Sequence, residues 1–359
     1  MAPDDHARRP ERAVGVGTDM YEIEATPETV QWGYFDNSAD PVCRIESGDV
    51  VRMETVSHHA GDAPDYMMDD GVREIYESID QADRGPGVHI LTGPIHVDGA
   101  EPGDVLECRI LDLEPRLPYG SNVSANWGLL SDDFDGREYV TIYEVDRGTH
   151  TATACFQYEY PDRYDTPGRV VDPEAVDRDS VLEDVRIPVR YHLGTAGVAP
   201  AEDGRIDSVP PAVYGGNVDN RNFNVGTSMY YPVQVEGGLF TAGDAHIAEG
   251  DGEISGTAIE AHLDAVVQFR IRDDMEVTTP VLETDDHWMV HAFDSDLDEA
   301  TRTAALEMIA FLVENEGLSE SEAYSLLSVA GDFQSTQVVN GEKGIHCKVP
   351  KDIFPPGSG

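Results

Sequence analysis

The chain has 359 residues, of which 40% are hydrophobic, and this is enough to bury a sizeable core, so a globally disordered protein is excluded. Its 70 Asp and Glu residues outnumber its 24 Lys and Arg residues and give a formal net charge of −46. A surface with that charge repels nucleic acids and anionic membranes, so neither is expected as a partner.

Lysine is almost absent among the basic residues. Only Lys343, Lys348 and Lys351 occur, and the remaining basic residues are arginines. Acidic residues are spread along the whole chain, and salt would screen their mutual repulsion. This pattern predicts a protein adapted to high salt in the cytoplasm of a halophile, with an acidic protein from an ordinary environment as the alternative.

Residues 1–12 are polar and charged and have no apolar core of a signal peptide, so no signal peptide is expected. No window approaches 18 consecutive apolar residues, so no transmembrane helix is expected. The four cysteines, Cys43, Cys108, Cys155 and Cys347, have neither zinc-site spacing nor that of a disulfide framework. Buried free thiols in a soluble, cytoplasmic protein are the expectation.

Most of the chain predicts β-structure, because 34 Gly and 22 Pro divide it into short alternating runs. The predicted strands are 50–56, 105–111, 139–145, 185–192 and 265–271. Residues 156–184, rich in Asp, Arg, Tyr and Pro, are predicted to form an irregular surface excursion. The expected organisation is a β-rich N-terminal part (1–155) and a C-terminal part (185–359) with β-sandwich strands and two helices; one compact unit is the alternative.

Helices are predicted only near the end of the chain. Two segments have the form of capping boxes that open helices, Ser295-x-x-Asp298 and Ser319-x-x-Glu322. Apolar residues recur at helical spacing over 305–312, before Gly317, and again over 323–330. The acidic faces of these helices argue against a DNA-binding pair, so they are expected to pack on a sheet or on a neighbouring subunit.

Residues 243–260 are the densest candidate site. Asp244 and His246 are two residues apart, so on an extended strand their side chains project from one face. Such a pair can bind a metal or form an oriented acid–histidine pair. Glu253, in a Gly-Asp-Gly-Glu turn, and Glu260, on the next predicted strand, add carboxylates. The alternative is that Gly250-Asp251-Gly252 is an ordinary hairpin turn and that the acidic residues of this segment are part of the general acid excess.

Residues 215–221, Gly-Gly-Asn-Val-Asp-Asn-Arg, form a second candidate segment. Asp219 can serve as a ligand or a base, and Asn217 can supply an orienting amide. The alternative is a bare loop, since Gly, Asn and Asp all favour turns.

A third candidate is Ser57-His58-His59-Ala60-Gly61-Asp62, with His89 and His96 further along the chain. Adjacent histidines on a strand point to opposite faces, so His58 and His59 can share one metal only in a loop after the predicted strand. One structural and one exposed histidine is the alternative.

A series of motifs then resembles the acetamidase/formamidase family in content and order. It comprises His192-Leu193-Gly194, Gly197-Val198-Ala199-Pro200, Ser208-Val209-Pro210-Pro211, Gly215-Gly216-Asn217-x-Asp219-Asn220, Tyr231-Pro232-Val233, Gly238-Leu239-Phe240 and Gly243-Asp244-x-His246. The resemblance implies a mainly β fold, a β-sandwich with a smaller α+β part and C-terminal helices. It also implies hydrolysis of formamide, acetamide or a similar short amide to carboxylate and ammonia, and a homo-oligomer (dimer or higher).

The resemblance further implies an active centre around Asp219, Asp244 and His246. The catalytic residues are expected to be Asp219, His246, Glu253 and Asn217. A divalent metal, zinc or alternatively calcium, is expected with its ligands drawn from Asp244, His246, His58, His59, Asp62 and Glu260. The segment 57–62 is richer in histidine than the family pattern, which bears on the choice of substrate.

The position of lysine restricts the mechanism. Nitrilase-like amidases need a Cys with a Lys, and amidase-signature enzymes need a Ser with a Lys, yet the only lysines lie at 343–351. The nucleophile motif Gly-x-Ser-x-Gly is also absent. Attack by water that is assisted by a metal or by a carboxylate remains. The hypothesis is metal-activated water, with Asp219 or Glu253 accepting its proton and Asn217 or backbone N–H groups binding the oxyanion. The alternatives are a non-catalytic β-sandwich protein that binds a metal or small ligand, and a hydrolase of a different linear or cyclic amide.

Overall fold

A computed structural model of the protein describes residues 19–355, so the signal-peptide expectation for residues 1–12 lies outside the described part. The strands, in chain order, are β1 (Met20–Ile23), β2 (Val30–Trp32), β3 (Tyr34–Phe35), β4 (Cys43–Ile45), β5 (Val50–Glu54), β6 (Ile90–Val97), β7 (Val105–Pro115), β8 (Tyr119–Ser124), β9 (Tyr139–Asp146), β10 (Thr151–Glu159), β11 (Ile187–Pro188), β12 (His192–Gly197), β13 (Ile206–Asp207), β14 (Gly215–Asn217), β15 (Ser228–Pro232), β16 (Phe240–His246), β17 (Glu260–Ala261), β18 (Leu263–Arg272), β19 (Val281–Glu283), β20 (His287–Asp294), β21 (Asp332–Gln337) and β22 (Lys343–Pro350). The helices are α1 (Pro64–Met67), α2 (Asp70–Ser78), α3 (Leu297–Glu316) and α4 (Glu320–Ala330).

Two large sheets carry the fold. One has nine strands in the order β1-β5-β18-β7-β15-β19-β20-β22-β21. The other has eleven strands, with β11-β10-β9-β8-β17-β16-β12-β14 in line and β6 joining β16 to β2 and β4. A shared core includes Met53, Leu106 and Phe269 from the first sheet and Ile95 and Phe240 from the second. The expected mainly β sandwich is therefore confirmed.

Strands from the two predicted parts of the chain pair directly in both sheets. In the nine-stranded sheet, β18 lies between β5 and β7. In the other, β16 pairs with β6 and β17 pairs with β8. Residues before 155 and after 185 thus contribute strands to both sheets. The division of the chain into two parts remains a prediction from the sequence.

Four of the five predicted strands are present, as β5, β7, β9 and β18. The strand predicted over 185–192 is wrong: only Ile187 and Pro188 pair, at the edge of the sheet, and the next strand starts at His192. Pro188 cannot donate a ladder hydrogen bond, which explains why regular pairing does not continue here.

The C-terminal helices pack as predicted, because side chains of α3 and α4 share a core with β20 and β22. The capping box at Ser319 and Glu322 is present, and α3 ends at Gly317 in the left-handed region, with φ 69°. The first capping box is wrong, since Asp296 rather than Ser295 caps α3.

The helices α1 and α2 were not predicted. Asp69 caps α2 by accepting a hydrogen bond from the backbone N–H of Val72, and Val72, Ile75 and Tyr76 form its buried face. Among the described helices none has the length and apolar character that crossing a membrane requires. All four cysteines are free; Cys108 and Cys347 are buried, while Cys43 and Cys155 are only half-buried.

Candidate functional site

Three predicted site residues meet where β16 and β17 pair. His246 ends β16 and stands directly opposite Glu260 of β17 in the strand register. His246 Nε2 lies 3.2 Å from Glu260 Oε2 and 3.6 Å from Asp244 Oδ2. All three side chains are buried. One imidazole nitrogen and two carboxylate oxygens therefore converge inside the protein.

The contacts within this group are not well-formed hydrogen bonds. Among the described residues, His246 Nε2 and Glu260 Oε2 have no aligned hydrogen-bond partner, although both atoms are buried. Buried polar atoms are normally hydrogen-bonded or bound to an ion. Asp244, His246 and Glu260 form one of three side-chain groups in residues 19–355 whose ligand atoms lie close enough together to hold a metal ion.

Asp219 and Glu253 form a second such group with His246. Asn340 Nδ2 donates to Asp219 Oδ2 at 2.6 Å, and Asp219 Oδ1 is buried with no hydrogen-bond partner among the described residues. The structure therefore brings the segment around Asp219 and the turn that carries Glu253 to the same imidazole.

Three of these acidic residues have strained backbone. The φ angles of Asp219, Asp244 and Glu253 are 52°, 49° and 46°, in the left-handed region that non-glycine residues rarely occupy. Such conformations persist only where the surrounding structure enforces them, and they cluster at functional sites. Asp244 approaches His246 through this local kink, not through regular strand alternation.

Asn217 reaches the site through Thr195. The Thr195 hydroxyl lies 2.6 Å from Asn217 Oδ1 and 3.0 Å from Asp244 Oδ2. Thr195 of β12 and Asn217 of β14 are paired residues in the sheet. Asn217 is thus fixed by an interstrand hydrogen bond next to Asp244.

The segment after β5 forms a second wall of the site. His58 and His59 lie in a turn, and a short 3₁₀ helix, Ala60–Asp62, follows. His59 Nδ1 lies 3.0 Å from Asp62 Oδ2 and 2.9 Å from the hydroxyl of Tyr164. Ser121 Oγ donates to Asp62 Oδ2 at 2.6 Å. His59 and Asp62 therefore form a buried, oriented pair.

His89 links this wall to the carboxylates. The ring of His58 contacts those of His59 and His89, with centroids 4.1 Å and 5.3 Å apart. His89 Nε2 then lies 3.5 Å from Asp244 Oδ2. Three groups of side chains in the described residues have ligand atoms close enough together to hold a metal ion, and we call them the metal-sized groups. None of them contains a residue of segment 57–62. His96 lies elsewhere, beside the exposed Asp98 at 3.1 Å.

Burial and neighbouring charges shift the pKa values of the acidic groups at the site. Burial raises the pKa of Asp219 and of Glu253 well above their ordinary values, and neighbouring carboxylates add to the effect. Burial also raises the pKa of Glu260. For Asp244, burial is outweighed by His89 and His246, which hold its pKa well below the usual range. Burial opposes the protonation of His246, but Glu260 and Asp244 raise its pKa well above normal.

The pKa values of the remaining histidines shift in different directions, depending on their neighbours. Burial lowers the pKa of His58, His89 and His192. Burial acts in the same direction on His59, but the charge of Asp62 and its hydrogen bond raise the pKa overall. The site thus contains neutral imidazoles suited to ligation beside imidazoles that favour the charged form.

Several residues at the site were not predicted. They are His192, Glu249, Thr195, Tyr164 and Asn340. His192 and Glu249 make the third metal-sized group with His246. His89 belongs to the third candidate predicted from the sequence, but no individual role is predicted for it. Tyr164 comes from the segment 156–184, which was predicted to lie on the surface, yet its side chain is buried against His59.

Gly194 explains how these side chains fit so closely. A Cβ atom at this position would lie 2.4 Å from His246 Cε1, 2.7 Å from Asp219 Oδ1 and 2.8 Å from the carbonyl oxygen of Asp244. We expect Gly194→Ala to lower the free energy of unfolding by about 1–3 kcal/mol through overpacking, as measured by chemical denaturation. Gly250→Ala, where a Cβ meets nothing within 4 Å, is the control, with a change of less than about 0.5 kcal/mol. Equal effects at both positions would contradict this account.

Comparison with known proteins gives the same family along nearly the whole chain. A sequence model described as the acetamidase/formamidase family matches residues 26–205 and 201–355. An acetamidase of Mycolicibacterium smegmatis is 32% identical over 221 residues, which cover 50% of this chain and 53% of that protein. A formamidase of Methylophilus methylotrophus is 28% identical over 346 residues, which cover 80% of each chain. The chain thus matches about half the length of the first relative and most of the second.

The fold is also found in a solved structure. The crystal structure of an acetamidase from Bacillus halodurans superposes with a TM-score of 0.72 and 27% sequence identity. The superposition covers 92% of this chain and 98% of that one. The β-sandwich described above is therefore shared over almost the entire length of both proteins.

Proposed function

Because the chain belongs to the acetamidase/formamidase family, we propose that it hydrolyses a short-chain amide of the formamide or acetamide type to a carboxylate and ammonia. The observation that carries the proposal is the convergence of His246 Nε2, Glu260 Oε2 and Asp244 Oδ2 in a buried site with unpartnered polar atoms. Such a site suits a reaction that needs charge stabilisation away from bulk water.

We propose that Asp244, His246 and Glu260 hold a divalent metal ion, zinc in the first instance and calcium as the alternative. Ligand atoms around a tetrahedral zinc ion lie about 3.3 Å apart, given bonds of about 2.0–2.1 Å. The observed separations of 3.2 Å and 3.6 Å fit this arrangement. His89 Nε2 lies 3.5 Å from Asp244 Oδ2 and adds a further nitrogen beside this group.

The concentration of carboxyl groups at the site also supports the proposal of a bound cation. Five buried or nearly buried carboxyl groups surround His246, namely Asp219, Asp244, Glu249, Glu253 and Glu260. Within residues 19–355, the ion pairs that these carboxyl groups make are all with histidines. Burying several like charges without a strong cation is costly, and a divalent ion would offset that cost. A bound divalent ion polarises a carbonyl oxygen and lowers the pKa of water toward about 7.

The protein side chains can then complete the reaction. Asp219 or Glu253, both beside His246, accepts a proton from the attacking water. The same proton passes to the departing nitrogen, so that the C–N bond breaks to give a carboxylic acid and ammonia. The acid then ionises to the carboxylate, and its proton is taken up by the ammonia to form ammonium. Asn217, fixed by Thr195, stands beside Asp244 and is proposed to donate to the developing oxyanion.

His58, His59 and Asp62, also predicted as ligands, are better suited to a supporting role. The oxygen Asp62 Oδ2 and the nitrogen His59 Nδ1 already contact each other, and Ser121 and Tyr164 contact them in turn. We therefore place these residues in the wall of the substrate site and keep them as further ligands only for an ion with a larger coordination number, such as calcium.

Ammonia release tests the proposal. The full chain is stripped of metal with a chelator, reloaded with zinc or with calcium, and assayed with formamide, acetamide and longer linear amides. We expect ammonia from the short amides with one of the two ions and none from the stripped protein. Tight metal binding without ammonia from any amide would favour the non-catalytic binding protein, and release from a cyclic amide alone would reassign the substrate.

We further propose that the protein works as a homo-oligomer in a salt-rich cytoplasm. Its net charge of −46 makes it sensitive to ionic strength. Raising KCl from about 0.1 M to about 3 M is expected to raise the midpoint of thermal unfolding by more than about 5 °C, since screening removes repulsion between surface carboxylates. Differential scanning calorimetry measures the shift, with sucrose at equal osmolality as the control. An unchanged midpoint would remove the case for adaptation to salt.

A further inference from the structure

Two side chains contact His246 on the nitrogen that faces away from Glu260. His246 Nδ1 lies 3.0 Å from His192 Nε2 and 3.5 Å from Glu249 Oε2. His192 Nε2 and Glu249 Oε2 are themselves 2.8 Å apart. The side chains of His192 and Glu249 are 0% and 1% exposed, so all these contacts are shielded from water.

The protein fixes the orientation of His192. His192 Nδ1 lies 2.8 Å from the carbonyl oxygen of Arg190, and because a carbonyl oxygen only accepts, Nδ1 carries a hydrogen and donates it. In the pairing of β12 with β16, His192 stands directly opposite His246. The two rings meet edge to face, with centroids 4.8 Å apart and planes at 83°. His192 therefore presents Nε2 to His246 and to Glu249.

Glu249 has no evident structural reason to be buried here. Its second oxygen, Oε1, is buried without a hydrogen-bond partner among the described residues. A buried carboxyl oxygen left unpaired is destabilising, so a role for the residue is needed to explain its position. Contact with both His192 and His246 supplies one.

We propose that His192 and Glu249 are positioning residues, which hold His246 through Nδ1 and so direct its Nε2 toward Asp244 and Glu260. Histidines that bind metals typically engage their other ring nitrogen in this way, which fixes the ring and strengthens ligation. The inference rests on the proposed function, because it requires an ion site at His246 Nε2. It adds two residues that act on the ion only through His246.

Metal affinity tests the inference independently of amide turnover. His192→Phe keeps the size of the side chain but removes both nitrogens, and we expect zinc binding to weaken about 10- to 100-fold in chelator competition. His192→Gln supplies an amide oxygen that can accept a hydrogen bond from His246 Nδ1 in place of the imidazole nitrogen. This variant is therefore expected to bind zinc more tightly than His192→Phe. The visible spectrum of the cobalt-loaded protein is expected to match the wild type in His192→Gln and to change in His192→Phe.

His346→Phe is the matched control. His346 is also a fully buried histidine, in β22, where it contacts the Thr336 hydroxyl at 2.9 Å. This substitution is expected to lower the stability of the fold but to leave zinc affinity and the cobalt spectrum unchanged. A general packing defect would affect both variants alike.

The outcomes separate the inference from the proposed function. If the wild type binds zinc and Glu260→Gln weakens that binding, but His192→Phe binds as tightly as the wild type, the positioning role is wrong while the metal site stands. If His192→Phe and His346→Phe weaken zinc binding equally, the role is likewise overturned. If the wild type binds no divalent ion, the metal site and this inference fall together.

Discussion

Glu260→Gln is expected to lower kcat/KM for amide hydrolysis at least about 100-fold while leaving the metal-free fold as stable as the wild type or more so. The substitution removes the carboxylate that lies 3.2 Å from His246 Nε2, so zinc affinity is expected to fall with the activity. The fold tolerates the change because glutamine keeps the oxygen that accepts from the backbone N–H of Ala258 at 2.9 Å. The substitution also removes a buried carboxyl group whose pKa is raised by burial, which removes the cost of burying its charge.

Steady-state kinetics, metal content and chemical denaturation are measured on the same preparations. Glu107→Gln is the matched control, since Glu107 is also a buried glutamate but pairs with Arg272 at 3.1 Å and accepts from Ser228 at the same distance. We expect that control to lose about 1–3 kcal/mol of stability without loss of metal or kcat. A Glu260→Gln enzyme with full activity would show that Glu260 is not part of the centre.

The closeness of Asp244 and His246 was predictable because it is local. They are two residues apart, and that spacing alone predicts side chains on one side of a strand. The structure brings them together through the left-handed backbone of Asp244, with φ 49°, which is also a local feature. Glu260 follows after a turn, and antiparallel pairing then sets it opposite His246. The family motifs pointed to the same stretch, so the position of the candidate centre along the chain could be predicted without coordinates.

The contacts that complete the site could not be predicted, because they join distant parts of the chain. His192 and His246 are 54 residues apart, Tyr164 and His59 are 105 apart, and Asn340 and Asp219 are 121 apart. Such contacts depend on the order of strands in the sheets, which local patterns do not determine. Tyr164 in particular lay in a polar, proline-containing stretch that resembled surface.

The fold shows the same division between local and distant information. The box at Ser319 and the end of α3 at Gly317 were correct because capping depends on a few adjacent residues. The strand over 185–192 was wrong because Pro188 lies within the alternating pattern and cannot donate a ladder hydrogen bond. The helix α2 was missed because its apolar stripe is short, and its cap at Asp69 is one acid among many.

In the metal-free protein, Glu253→Gln is expected to be more stable than the wild type at about pH 8, with an advantage that vanishes as the pH falls toward about 4.5. Burial raises the pKa of Glu253 well above its ordinary value of 4.5, so the folded state binds its proton more tightly than the unfolded state does. Above 4.5 the unfolded carboxyl group ionises freely while the folded one resists. The wild type therefore loses stability as the pH rises toward the folded pKa, at up to about 1.4 kcal/mol per pH unit.

Measuring the difference in unfolding free energy between the two proteins isolates Glu253 together with the groups that interact with it. Ionisable groups far from Glu253 are common to both proteins and cancel, whereas Asp219 and His246 interact with Glu253 and contribute to the difference. About 3 M KCl screens the surface carboxylates. Glu28→Gln, at an exposed position, is the control for losing a charge as such. Chemical denaturation between about pH 5 and pH 8 gives the free energies of unfolding. A difference between the two proteins that does not change with pH would show that burial does not raise the pKa of Glu253. Zinc is expected to shrink or reverse the advantage at about pH 8, because a nearby cation favours the ionised carboxylate that glutamine lacks.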